Sequence, residues 1–254
     1  MLAAAACGGD VAEEDFALQI ELAVGVDESI DAEAAAETTD TVAVIIRDRL
    51  NGLGVAVPEV VRVGPRALVV RYREPVEATV EELTALMTEM GHLEFREIDP
   101  INPTASAPAG GLDATPDEDV IVVGTTRWIP AMGRDRLHGT GEEVQLTGEF
   151  LVAESITQTL DSLDFPAITF SLDEEGADLL EQISTRLAAT RAPLGIFFDG
   201  ELISSPAIVA AMSDRAIITR LTAKEAAILS TQLRSGVLTV PVIVVAVTTG
   251  NAGP

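Results

Sequence analysis

The chain has 254 residues, with 41 acidic against 16 basic side chains and a formal charge of −25. A surface this acidic repels phosphate backbones and anionic lipid heads, which excludes an electrostatic binder of nucleic acid or of a membrane surface. Hydrophobic residues make up 47% and aromatics only 4%, so the chain is no disordered polymer and builds its one large or two small cores from Val, Ile, Leu and Ala. Mean hydropathy is +0.30, yet no apolar run approaches the ~20 residues of a spanning helix. The longest such run, from Val237 to Val247, is broken by Pro241.

Eleven acids precede the first base, Arg47. The only cysteine, Cys7, follows Ala3-Ala4-Ala5-Ala6 and precedes Gly8-Gly9 and then acids. That pattern resembles the end of a bacterial lipoprotein signal, in which small residues precede a cysteine that is lipidated. Residues 1–15 are therefore read as a lipoprotein-like tail with Cys7 as the lipidation site. A basic n-region is missing and the apolar stretch is short for a signal. One cysteine excludes an internal disulfide framework and a thiolate zinc site.

From Phe16, the apolar residues Phe16, Leu18, Ile20 and Leu22 alternate as on a strand. An acidic, Ala-rich stretch leads to Thr38, Thr39 or Asp40 as caps for a helix carrying Val42, Ile45, Ile46, Leu50 and Leu53. Glu59 to Val63 and Ala67 to Arg73 flank the turn pair Gly64-Pro65 as a hairpin. A second amphipathic helix runs from Val76 to Gly91, and His92 to Ile98 reads as a strand. The order β-α-β-β-α-β is the ferredoxin-like pattern.

Four prolines and Gly110-Gly111 between Asp99 and Asp119 read as a flexible linker. Beyond it, Val120 to Val123 is a short strand, and Thr126 to Gly141 is irregular. Phe165 to Leu172 is a strand, and Asp173 caps a helix to about Ala189. Asp199-Gly200 is a tight turn between strands. Thr222 caps a helix that Gly236 ends, and Val240 to Val247 is a final strand. The expected organisation is a base subdomain over 16–99, a linker over 100–119, a head subdomain over 120–236, and a returning strand with a tail over 237–254.

Several of these segments resemble one family. His92-Leu93-Glu94-Phe95-Arg96 resembles the LEFR element of SecD, a subunit of the bacterial protein-export machinery. Asp199-Gly200 followed by Ser204-Ser205-Pro206-Ala207-Ile208 resembles its "DG-x-x-x-SAP-x-I" element. Leu221-Thr222-Ala223-Lys224-Glu225-Ala226 resembles a helix start of the family, and Leu233-Arg234-Ser235-Gly236 to Pro241 resembles "LRSGALPVP". Leu146-Thr147-Gly148 matches a further tripeptide. The resemblance covers the extracytoplasmic domain, and implies an α+β fold: a ferredoxin-like base with an inserted α+β head. A "DLRGG"-like element is missing, and Thr239 stands where a proline is usual. The membrane helices of the family do not follow within this sequence, so proton coupling is not implied.

No catalytic constellation emerges, and the expectation is a non-enzyme with no catalytic residue, no metal and no cofactor. His92 and His138 read as solvated or edge histidines without metal-ligand spacing. There is no G-x-S-x-G elbow and no phosphate loop, and Lys224 is the only lysine. Asp173-Glu174-Glu175 complement a helix N-terminus, and Glu142-Glu143 read as a solvated pair. Trp128 and Ile129, with Met132, form the one aromatic-apolar patch outside a regular element and are the candidate substrate-binding residues, with packing in the head's core as the alternative. The resemblance implies transient binding of unfolded or translocating polypeptide, contact with Sec membrane subunits, and assistance to protein export. The location it implies is the extracytoplasmic face of the bacterial membrane, reached only through a lipid anchor. The alternative is a tethered lipoprotein reusing this fold for an unrelated binding task.

Overall fold

The computed structural model describes residues 16–54, 58–104 and 119–250. The tail 1–15 with Cys7, and most of the expected linker 100–119, lie outside the described residues. In chain order the elements are β1 (Leu18–Val24), α1 (Ala32–Gly52), β2 (Glu59–Gly64), β3 (Ala67–Tyr72), α2 (Val80–Thr88), β4 (Leu93–Ile98), β5 (Ile121–Val123), β6 (Thr126–Pro130) and β7 (Met132–Arg134). They continue with β8 (Glu143–Gln145), β9 (Thr157–Leu160), β10 (Pro166–Ser171), α3 (Glu174–Ala188), β11 (Leu194–Phe198), β12 (Glu201–Ser204), β13 (Arg215–Ile218), α4 (Ala223–Ser235) and β14 (Val242–Thr249). The chain divides into two compact units, one of residues up to Thr88 and from Val240 on, the other of Glu89–Thr239.

The first unit is an antiparallel sheet in the order β14-β1-β3-β2. Alternation puts Leu18, Ile20, Leu22 and Val24 on the buried face of β1. Helix α1 contributes Val42, Ile46 and Leu50 to the same core, and α2 contributes Leu83, Leu86 and Met87. The strand order and the two helices are those of a ferredoxin-like fold, but the fourth strand differs from the expectation. Residues 93–98 do not close this sheet; β14 does. The reason lies in how β4 is covered. It buries Leu93 and Phe95 on one face and Arg96 on the other, which requires a sheet packed on both sides. The β-branched run of β14 needs burial on one side only, and Ile243 and Val245 stay exposed.

Helix α1 also starts before the expected caps. Asp31 caps it, accepting from the backbone N–H groups of Glu33 and Ala34, and the Ala- and Glu-rich turn that follows has high helix propensity. Thr39 then lies inside the helix and donates its hydroxyl to the Pro65 carbonyl at 2.7 Å.

The second unit holds a five-stranded sheet, β12-β11-β4-β6-β5, a three-stranded sheet, β13-β10-β9, and the pair β7-β8. The segment 126–141, expected to be irregular, supplies β6 and β7. Its core joins Leu93 and Phe95 to Phe170, Leu180, Ile183 and Leu229. On the opposite face of β4 the Arg96 guanidinium meets the Glu94 carboxylate at 2.7 Å, donates to the Asp119 carbonyl at 2.6 Å, and lies 5.8 Å from the centre of the Phe197 ring. The LEFR segment is thus a strand with two differently filled faces.

Asp199 ties that strand to the β11–β12 turn. Its carboxylate accepts from the backbone N–H groups of Gly91 and His92, at 3.0 and 2.7 Å. Its own N–H donates to the His92 carbonyl at 2.9 Å. Both Asp199 and Gly200 take positive φ, 47° and 83°, a conformation that Asp and Gly tolerate best. The ends of the unit also meet, through a 2.8 Å hydrogen bond from Leu238 N–H to the Met90 carbonyl.

Two substitutions test this packing. Asp199→Ala removes the acceptor of two backbone donors and is expected to lower unfolding stability by about 2 kcal/mol in a denaturant titration. Gly195→Ala would put a methyl group 2.7 Å from Trp128 Cζ3 and 2.8 Å from Phe197 Cε2. The expected result is a loss of about 1–3 kcal/mol and a shifted emission from Trp128, the only tryptophan.

Candidate functional site

The site most suited to holding another molecule lies in the second unit, where β12 gives way to an irregular segment at Pro206. Proline cannot donate to a strand ladder, so β12 ends there; Pro206 still accepts from Leu194 N–H and Ala207 bridges Pro193, and the chain is irregular beyond them to 214. The segment is fixed at both ends. Ile208 N–H donates to the Ala192 carbonyl at 3.1 Å, and Met212 N–H donates to the buried Ser184 hydroxyl at 2.8 Å. Between those anchors Val209 is 73% exposed.

Beneath the segment is an apolar cleft of about 240 Å³, lined by Phe95, Ile196, Ile208, Met212 and Ile217 among others. One wall is β13, which pairs with β10 on one side and, among the described residues, with no strand on the other. Its backbone donors and acceptors on that side are a template for a further strand, and Ile217 on it is 37% exposed. An apolar trough beside a free strand edge suits an extended peptide: the edge offers main-chain pairing and the trough takes alternate side chains.

A second apolar projection lies at the β9–β10 turn, where Leu160, Leu163 and Phe165 are all exposed. Asp161 holds this turn, its carboxylate accepting from the N–H groups of Leu163 and Phe165 at 2.8 and 3.0 Å.

The residues that sequence reasoning singled out are not gathered at the cleft. Trp128 is 4% exposed and edge-on to Phe197, with ring centroids 5.6 Å apart; it packs inside the unit. Ile129 and Met132 are half-buried. Met132 borders a polar groove with Arg134, Glu181 and Arg186. The cleft residues Val209, Met212 and Ile217 carry no motif of their own because they are scattered over two segments. Only Ile208, in the "SSPAI" pattern that ends β12, belongs to a motif legible in the sequence.

The perturbed carboxyl groups are fixed by local hydrogen bonds. Backbone N–H groups of Asn102 and Ile101 hold the Asp99 carboxyl below the usual range. The Thr140 hydroxyl and the His138 N–H do the same for Asp135, and the Thr222 N–H for Glu225 in a capping box. Burial pushes the Tyr72 hydroxyl up. One group of potential metal ligands is assembled among the described residues, where Asp135, His138 and Glu175 bring three ligand atoms within 4.8 Å of one another. Asp173, Glu174 and Glu175 share the start of α3, and Asp173 caps it by accepting from Gly176 N–H at 2.9 Å. His92 is exposed at the start of β4. No helix of the described residues is long and apolar enough to cross a membrane.

Comparison with known proteins gives a consistent result. Residues 133–240 match the family model of the SecDF P1 head subdomain. The protein translocase subunit SecD of Aquifex aeolicus (strain VF5) is 29% identical over 198 residues, which is 78% of this chain and 36% of that protein. The chain therefore spans about a third of the length of this relative. A crystal structure of SecDF in a super-membrane-facing form superposes with a TM-score of 0.63 over 91% of this chain and 30% of that one, at 22% identity. A structure of the membrane component SecDF that enhances protein export superposes at 0.61, over 90% of this chain and 98% of that one, also at 22% identity. In sequence the chain is similar to part of SecD, with residues 133–240 matching the SecDF P1 head subdomain, and in fold it is similar to the SecDF structures.

Proposed function

We propose that this chain is a non-enzymatic, SecD-like extracytoplasmic module that binds extended polypeptide transiently and assists protein export. The observation that carries the reading is the apolar cleft beside the free edge of β13. Backbone pairing along an edge ignores side-chain identity, and a shallow apolar trough accepts many residues, so recognition is sequence-tolerant. A translocating chain emerging unfolded offers both an unpaired backbone and exposed apolar side chains. The names of the similar proteins, a protein translocase subunit and a membrane component that enhances protein export, support the export setting. In that setting the partners are Sec membrane subunits as well as the client. The net charge of −25 disfavours nucleic acid and keeps the module off anionic lipid heads. Membrane attachment is then through a lipid on Cys7.

Photo-crosslinking amino acids at Val209 and Ile217 are expected to trap secreted precursors in cells, while one at Val44 of α1 is not. Ile217→Asp is expected to weaken binding of an unfolded model polypeptide about tenfold, equivalent to 1.4 kcal/mol. Absence of crosslinks from both cleft positions, with a working positive control, overturns the proposal. Lipidation is tested separately: metabolic labelling with an alkyne fatty acid is expected to mark the chain, and Cys7→Ser to abolish the label.

A further inference from the structure

The loop between β7 and β8 is built around one carboxylate. Asp135 N–H donates to the Glu142 carbonyl at 2.9 Å, and Gly141 N–H donates back to the Asp135 carbonyl at 3.0 Å. Gly139 and Gly141 reverse the chain with φ of 71° and 69°. Asp135 is 7% exposed. Its Oδ2 accepts from the Thr140 hydroxyl at 2.6 Å and its Oδ1 from His138 N–H at 2.9 Å. The His138 ring Nδ1 lies 3.3 Å from the same Oδ1, and the ring is 67% exposed. Glu175, from the first turn of α3, supplies the third donor of the group. Its carboxylate has no hydrogen-bond or ion-pair partner among the described residues.

We infer that Asp135, His138 and Glu175 form a binding site for a divalent transition-metal ion of the zinc class. The donor set is the first reason. One imidazole and two carboxylates bring a charge of −2 to a dication, and a nitrogen donor favours zinc or cobalt over magnesium or calcium. The spacing is the second. Bonds of about 2.0–2.2 Å in a tetrahedral site separate ligand atoms by roughly 3.4 Å. The 3.3 Å between His138 and Asp135 matches that edge and is long for a charge-assisted hydrogen bond, which runs to about 2.7–2.9 Å. The third is support from behind. Thr140 holds Oδ2 and so orients Oδ1, the role outer hydrogen bonds play around metal ligands. The neighbouring cations are engaged elsewhere, Arg136 with Asp178 at 3.7 Å and Arg134 with Glu143 at 3.6 Å. Three protein ligands leave one position to solvent on the exposed side of His138.

Isothermal titration of the full chain carrying Cys7→Ser, first freed of metal with a chelator, tests the site with zinc chloride alone. The expected result is uptake of one ion per chain, with cobalt chloride giving the visible absorption of a nitrogen- and oxygen-ligated site and magnesium chloride giving none. His138→Ala and Glu175→Gln are each expected to weaken zinc binding about tenfold or more, with metal-free circular dichroism unchanged. No uptake by the parent chain overturns the inference. So does uptake that neither substitution weakens.

Discussion

The 2.8 Å hydrogen bond from Leu238 N–H to the Met90 carbonyl joins the two ends of the inserted unit, and the rest of the architecture depends on that meeting. A ferredoxin-like sheet tolerates a large insertion between its second helix and its fourth strand only if the insertion returns the chain near where it left. Gly236 makes the return possible. At φ 87° it ends α4 in a conformation that a side chain disfavours, and the buried Leu238 follows at once. The "LRSG" segment therefore fixes where the excursion ends. Asp199 acts at the other side of the same junction, gripping the amides of Gly91 and His92 just after the chain enters the unit.

Much of the fold was legible because its signals are local. Asp173 and Thr222 cap helices by accepting from amides three residues on, which needs no knowledge of the tertiary structure. Period-two burial in β1 is equally self-contained. The misreadings arose where burial on a second face decides. Nothing within Leu93-Glu94-Phe95-Arg96 says that Arg96 will lie beneath Phe197, so β4 read as a half-exposed strand closing the first sheet. The segment 126–141 looked irregular because β6 and β7 are short and separated only by Ala131, too brief to show a period.

The site was less legible than the fold, for a related reason. An apolar cleft is a property of several segments meeting, and Phe95, Ile196, Ile208 and Ile217 come from four separate stretches of the chain. Trp128, for which the sequence left client contact and core packing as alternatives, is packed against Phe197, over a glycine that leaves room for its ring. His138 showed no partner within ligand spacing, since Glu175 comes from a different element and only the fold brings it close.

The pairing of β1 with β14 joins strands that lie far apart in the chain. β1 and β3 are separated by α1 and β2, whereas β1 and β14 are separated by the whole inserted unit as well. Closing so long a loop is entropically unfavourable until the loop is itself compact. Compaction of the inserted unit therefore favours completion of the first sheet. Until Val242–Thr249 arrives, the edge of β1 is bare, carrying unpaired amides and the apolar residues Leu18, Ile20 and Leu22. In the folded chain β14 covers that edge and removes it as a template for another strand.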